Sequence, residues 1–324
     1  IQATDYNGFV STTSGANVND VWGTGTGDKG WGQTAISTVS VGNTVTATQW
    51  ASLVNTLASM GSQTNTTITS RTAPVAGNTV SILANVNTDL TNVTTNRGNA
   101  ASAGTEYGTF TGTTSKTTAT GSGQTTWTIT FTHTVTFASA NAARYFFNAG
   151  GRVRLQYGKS STGTDIDADW NTFIGTVGAL YLSGRVNGAA QSIAGNSYTG
   201  FTRLGGSGTP GTYASTTGWY NLVPGAAATT MFQLNSTVAP YTGDYVRVTA
   251  AVDATSTVLT LVTTWNQTTN SGAGESANIS GGTDTASPFS SFGTAPAVVC
   301  KAIPPSTTYL TNSWGTPAVA SSVA

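Results

Sequence analysis

The sequence predicts a mainly β protein with a small helical region at its N-terminus. Beyond residue 104, apolar and polar residues alternate with the period of two that is typical of strands with one buried face. Before that point, apolar residues recur every three or four positions, as on amphipathic helices. We therefore divide the chain into an attachment and oligomerisation region, residues 1–104, and a β-rich domain, residues 105–324, folded as an antiparallel β-sandwich or barrel-like domain.

The first predicted helix opens in the segment 46–50 and has an apolar face formed by Trp50, Leu53, Val54 and Leu57. These residues stand at positions i, i+3, i+4 and i+7, which lie on one side of a helix. We expect Thr48 to cap the N-terminus, because its hydroxyl can accept a hydrogen bond from the free amides there. Gly61 is expected to end the helix.

A second helix is predicted over residues 80–96, where apolar residues recur at the spacing of a short coiled-coil seam. The seam residues are Leu83, Val86, Leu90 and Val93. One interpretation packs this helix on its own domain. The other, which we adopt as the prediction, assigns the four residues to a subunit interface, because an isolated short helix needs a partner surface.

The clearest predicted strand is Thr125–Phe137, which alternates threonine with mostly apolar side chains. Its single histidine, His133, falls on the inward face. Because the chain has no second histidine to complete a ligand set, we expect a hydrogen-bonded core residue there. Further strands are predicted at 152–157, 179–186, 245–252, 257–265 and 297–303.

Two helices are predicted between these strands, Ala140–Asn148 with Ser139 as its N-cap, and Asp165–Thr176. The second begins with Asp165, Asp167 and Asp169, which alternate as the ligands of a calcium loop do. The turn glycine and the bidentate glutamate of such a loop are missing. The three residues are therefore calcium candidates, and the alternative is a helix start whose free amides and dipole they satisfy.

The composition argues against an enzyme. Only 7% of the residues are charged, and the chain has one histidine and one cysteine, Cys300, which we expect to be buried. Side chains that exchange protons are scarce, so we expect no catalysis and no cofactor. The formal net charge is zero and the basic residues are scattered, which disfavours nucleic acid as a partner. No apolar run is long enough to insert into a membrane.

Several aromatic residues fall in loop-like segments rich in glycine, serine and proline. Tyr213, Trp219 and Tyr220 are candidates for glycan contact, since aromatic rings stack on sugars while neighbouring amides bond their hydroxyls. The alternative places such rings in the core or at subunit interfaces, which favour tyrosine and tryptophan.

Four segments resemble the virion proteins of tailed phages, particularly phages of cyanobacteria and other marine bacteria. They are residues 5–7, the glycine-rich stretch 22–33, residues 45–50, and residues 145–155, and together they touch about a quarter of the chain. The resemblance implies a virion component, exposed on the particle after assembly in the host cytoplasm. It carries over no catalytic residues.

From these observations we expect a homo-oligomeric structural protein, such as a trimer, in a tail or neck fibre or appendage. It would act by self-assembly and attachment, with itself and other virion proteins as partners. The alternative is a carbohydrate-binding adhesin or receptor-binding tailspike, with a host-surface glycan as partner. A spike enzyme would need clustered carboxylates, and an adhesin an exposed aromatic platform.

Overall fold

The fold is mainly β, as the sequence predicts. The computed structural model describes residues 2–11, 15–77, 85–100, 110–115, 127–158, 165–184, 191–193, 196–237, 242–267 and 296–324. Residues 110–115, 127, 165–169 and 191–193 are described by their backbone alone.

Helices dominate the first hundred residues and strands the rest. The helical region contains α1 (Ala3–Val10), α2 (Val18–Val21), α3 (Ala47–Gln63), α4 (Val86–Thr95) and a 3-10 turn (Asn96–Asn99). There follow β1 (Phe110–Ser115), β2 (Trp127–Thr136), α5 (Ala140–Asn148), β3 (Arg152–Gly158), α6 (Asp165–Val177), β4 (Ala179–Leu182), β5 (Gln191–Ile193), β6 (Asn196–Tyr198) and β7 (Phe201–Leu204). The last elements are β8 (Thr212–Tyr213), a 3-10 turn (Trp219–Asn221), β9 (Thr229–Asn235), β10 (Tyr245–Val252), β11 (Val258–Gln267), β12 (Ala297–Ile303) and β13 (Ala318–Val323).

The strands form two large antiparallel sheets. The first has the order β1-β12-β3-β4-β7 and the second the order β13-β2-β11-β10-β9-β8, while β5 and β6 pair separately. In β10 and β11, buried and half-buried side chains alternate along the whole strand. Each therefore gives one face to the core and one to the surface, which is the alternation that the sequence predicts.

The inner faces of the two sheets pack on each other as a β-sandwich. The Tyr157 hydroxyl of the first sheet lies 3.5 Å from the Thr263 hydroxyl of the second, and the Tyr157 ring contacts Trp265. Helix α6 packs on the same residues, because Trp170 stacks on Trp265 at 5.8 Å and its Nε1 donates to Oε1 of Gln267. Burial raises the pKa of Tyr157, so its hydroxyl stays protonated in the core.

Helix α5 connects β2 of one sheet to β3 of the other. Its bounds and cap agree with the prediction: the Ser139 hydroxyl accepts a hydrogen bond of 3.1 Å from the amide of Ala142. Phe146 and Phe147 pack on Phe137 at the end of β2, and Phe147 stacks on Trp219 at 5.2 Å. These rings link the helix to the sandwich core.

Helix α3 buries the predicted apolar face but differs at both ends. Thr46, rather than Thr48, is the N-cap, because its side chain and that of Gln49 form a reciprocal capping box. Gly61 does not end the helix, which runs to Gln63. A Cβ at this position would lie against Thr66 and Ile68, so the glycine allows the returning chain to approach closely.

Helix α4 is shorter than predicted and does not offer the expected subunit interface. Leu83 lies outside the described residues, and the helix begins at Val86. Val86, Leu90 and Val93 are 2% exposed or less within the single chain, in the same hydrophobic core as α1 and α3. The seam spacing thus marks the face that packs on the chain's own domain, which corrects the interface assignment for these three residues.

Leu90→Asp is expected to unfold the protein rather than to dissociate folded subunits. The substitution places a carboxylate in a fully buried site, which costs about 3–5 kcal/mol of unfolding free energy. Urea denaturation measures the loss, and Asn92→Asp on the exposed side of α4 is the matched control, expected to change little. A folded Leu90→Asp protein with a reduced oligomeric mass would restore the interface assignment.

Candidate functional site

The aspartates that we consider as calcium candidates stand at the start of α6. Asp165 is the first helical residue, Asp167 lies in the same first turn and Asp169 in the next, so the backbone places two of the three acidic residues at the helix start. The structure describes these three residues by their backbone alone. Among the described residues, no group of three or more His, Cys, Asp or Glu side chains could hold a metal ion.

The three candidate glycan residues lie in different environments. Tyr213 is 36% exposed on β8, beside a cleft of about 390 Å³ that Thr230 and Asn235 also line. Trp219 is buried against Phe147. The Tyr220 hydroxyl is committed to hydrogen bonds inside the chain, and burial raises its pKa. No joint aromatic platform is formed by these three residues, and Tyr213 is the one that offers a ring to solvent.

His133 and Cys300 are both in the sandwich core, as expected. Nδ1 of His133 lies 2.7 Å from the Ser321 hydroxyl on β13, and burial lowers the pKa of the imidazole to about 4. Burial likewise raises the pKa of the Cys300 thiol to about 12. At neutral pH the first is uncharged and the second is a thiol, so both act as packing residues.

Buried hydrogen bonds form a junction between the glycine-rich stretch 23–32 and helix α5. Nδ2 of Asn148 donates to the carbonyls of Gly27, Lys29 and Gly30 at 2.9–3.2 Å. Its Oδ1 accepts a hydrogen bond of 2.5 Å from the Tyr220 hydroxyl. Asn148 is only 3% exposed, so these bonds form away from water and fix the glycine-rich stretch on the sandwich.

Glycines allow the stretch to lie this close to the helix. Gly30 and Gly32 have positive φ values of 90° and 70°, which L side chains rarely adopt. A Cβ at Gly32 would collide with the Tyr145 ring, and one at Gly30 with the backbone of Thr24. The glycine content of the segment thus serves close backbone packing.

Charged residues hold the same junction from its outer side. Arg144 donates to the carbonyls of Lys29 and Thr24 at 2.6 and 2.7 Å. Lys29 forms an ion pair with Asp20. Asp28 pairs with Arg97 at 2.7 Å, which ties the stretch to the end of the helical region.

The C-terminal segment joins the junction through Gln33. Oε1 of this buried side chain accepts from the amide and hydroxyl of Thr311, and Nε2 donates to the Thr311 carbonyl. The indole nitrogen of Trp31 donates to the Asn148 carbonyl at 3.1 Å. The junction therefore connects the N-terminal, central and C-terminal parts of the chain.

Sequence reasoning singled out the segments that meet here but did not predict their contact. Residues 22–33 and 145–155 are two of the four segments singled out in the sequence, and Asn148 of the second binds the first. The available signal was the concentration of glycines next to tryptophan, which indicates a close backbone approach. The partners are more than a hundred positions apart, and the acceptors are backbone carbonyls, which carry no sequence signature.

Asn148→Asp tests the junction. The substitution removes the Nδ2 donor and places a buried carboxylate oxygen against three carbonyl oxygens. We therefore expect a loss of about 3–5 kcal/mol of unfolding free energy. Asn55→Asp makes the same change on the exposed side of α3 and should cost less than about 0.5 kcal/mol. Chemical denaturation of the two variants decides. Equal stabilities would contradict the role of Asn148.

His133 predicts a defined acid sensitivity. The folded imidazole has a pKa of about 4 against 6.5 when unfolded, so the unfolded state binds the proton first as the pH falls. The folded protein should lose on the order of 3 kcal/mol between pH 6.5 and 4, and no more below pH 4 from this group.

The control is His133→Gln, which keeps a polar partner for Ser321 but does not titrate. Its unfolding free energy should lack this loss between pH 6.5 and 4. The low pKa of Asp253, about 2 because the Thr255 hydroxyl and neighbouring backbone amides bond its carboxylate, acts below that window. The same pH dependence in wild type and His133→Gln would show that the histidine does not cause it.

Comparisons complete the description of the site. No model of a known protein family, no curated protein and no solved structure matches the chain. In the described part of the chain, no helix is long and apolar enough to span a membrane.

Proposed function

We propose that this chain is a structural component of a tailed-phage virion, part of a tail or neck fibre or appendage, which acts by self-assembly and attachment. The observation that carries the proposal is that the scarce charged side chains are used for contacts within the chain. The virion setting is taken from the segments that meet at the junction, because their sequences resemble those of tailed-phage virion proteins.

Ion pairs inside the chain support this use of charge. Besides the pairs at the junction, Arg71 and Asp89 form an ion pair of 2.6 Å in which each side chain is only 5% exposed. Arg203 donates to the carbonyls of Val177 and Thr176, which fastens β7 to the end of α6. A charge held in this way contributes to a fixed shape and is not available at the surface for chemistry.

The neutral exterior is consistent with a particle component. The chain is rich in threonine, serine, asparagine and glycine, threonines form the outward row of β2, and the formal net charge is zero. Such a surface limits nonspecific attraction to charged polymers, while leaving specific packing to shape and hydrogen bonds. This property suits a protein that stands on the outside of an assembly.

One observation favours a second candidate, a carbohydrate-binding adhesin or receptor-binding tailspike. Tyr213 exposes its ring at the edge strand β8, and hydroxyl and amide groups of Thr230, Gln233 and Asn235 line the adjoining cleft. An aromatic ring beside amides is a chemistry that recognises neutral sugars.

Immunogold electron microscopy tests the assignment. Antibodies raised against the purified chain should label a defined position on intact particles of the phage that encodes it, with a preimmune serum as the control. Absence of the chain from purified particles, by labelling and by mass spectrometry, would contradict the proposal. A chain that is absent from particles but binds a glycan, with binding abolished by Tyr213→Ala, would favour an adhesin that acts free of the virion.

A further inference from the structure

The outer face of the second sheet carries a regular array of threonines, which we call the threonine face. Its central row on β2 consists of Thr128, Thr130, Thr132, Thr134 and Thr136, all of them half-buried or exposed. The inward residues between them are the core residues of the sandwich, so the strand period fixes the row on the outside.

Neighbouring strands extend the array in register. On β11, Thr260 pairs with Thr134, Val262 with Thr132 and Thr264 with Thr130. On the other side, β13 contributes small side chains, with Ala320 opposite Thr134. The result is a continuous surface of β-branched and small side chains, with a methyl and a hydroxyl group at each threonine.

The threonine face is almost free of charge. Arg247 on β10 is the one charged residue in β2, β10, β11 and β13. Its guanidinium lies 4.5 Å above the Tyr245 ring, and its Nε donates to Oε1 of Gln233. The centre of the face therefore offers no charge to a partner, and charged residues are likewise depleted at the centre of protein interfaces.

The dimensions of the face fit a pair of copies. Strands β2 and β11 have 10 residues each, β10 has 8 and β13 has 6. At ~3.4 Å per residue and ~4.8 Å per strand, each copy would cover roughly 550 Å², or about 1,100 Å² in total, which exceeds the ~1,000 Å² that a biological interface needs and lies just below the ~1,200 Å² of standard interfaces. Two sheets with the same right-handed twist also pack face to face in aligned sandwiches.

We infer that the threonine face is the surface on which two copies of this chain associate, sheet against sheet. The inference rests on the proposed assembly function. It assigns the contact between copies to the threonine face, because the apolar face of α4 is buried within its own chain. In the pair, threonine methyl groups and Val262 interdigitate at the centre, and threonine hydroxyls bond across the interface. The area lies just below that of standard interfaces, so association is expected to be weak and to depend on protein concentration.

The test is the oligomeric state of the full chain as a function of concentration, measured by sedimentation and light scattering. Wild type should form dimers or larger even-numbered assemblies as concentration rises. The variant with both Thr132→Lys and Thr264→Lys brings like charges together at the contact and should stay monomeric at concentrations where wild type associates. Thr38→Lys, exposed and away from the sheet, is the matched control and should behave as wild type.

A second measurement avoids added charge, should the double variant fail to fold. Nitroxide labels on Thr132→Cys should give strong dipolar coupling between copies, and labels on Thr38→Cys weak coupling. The inference is overturned if wild type is monomeric throughout, if the folded double variant still associates, or if labels at 132 show no coupling. It is also overturned if a monomeric wild type binds a neutral glycan through this face and the double variant does not.

The virion assignment is tested separately. Labelling of particles by antibodies remains informative if the threonine face proves to be only a solvated surface. In that case the chain is a virion component that assembles through another surface.

Discussion

The hydrogen bonds of Asn148 are the interaction on which the arrangement of the whole chain depends. One buried amide at the end of α5 holds three carbonyls of the glycine-rich stretch and the hydroxyl of Tyr220. Because α5 also packs Phe146 and Phe147 on Phe137 at the end of β2, the same helix anchors the N-terminal region to the sandwich. The helical residues and the inner faces of the strands accordingly form one continuous hydrophobic core.

This arrangement explains how a chain with few charges maintains a defined structure. Surface ion pairs contribute little to stability, whereas buried and fully satisfied polar contacts specify which segments meet. Arg71 with Asp89 and Gln33 with Thr311 belong to the second kind. Because the charged side chains are used within the chain, the neutral threonine face is left for packing between molecules, as the proposed assembly function requires.

Sequence patterns predict those parts of the fold that depend on local chemistry. The bounds of α5, β10 and β12 agree with the prediction, since a serine cap and strict alternation define them. The sequence did not predict β1, β5, β6, β7, β8, β9 and β13. Several of these strands are very short, and in β9 the successive buried residues Met231 and Phe232 break the alternation. The coiled-coil spacing of α4 is equally typical of a helix packed inside a domain, and only the tertiary contacts distinguish the two.

The candidate site was less predictable than the fold. Trp219 and Tyr220 stand in a loop-like segment, but stacking and hydrogen bonding to distant residues decide their exposure.

The central claim is that the N-terminal region and the sandwich unfold together. Native-state hydrogen exchange tests it most directly, by comparing the amides of α3 with those of β11. We predict the same opening free energy for both. Exchange of α3 at a free energy several kcal/mol lower would contradict the account and show that the helical region opens by itself.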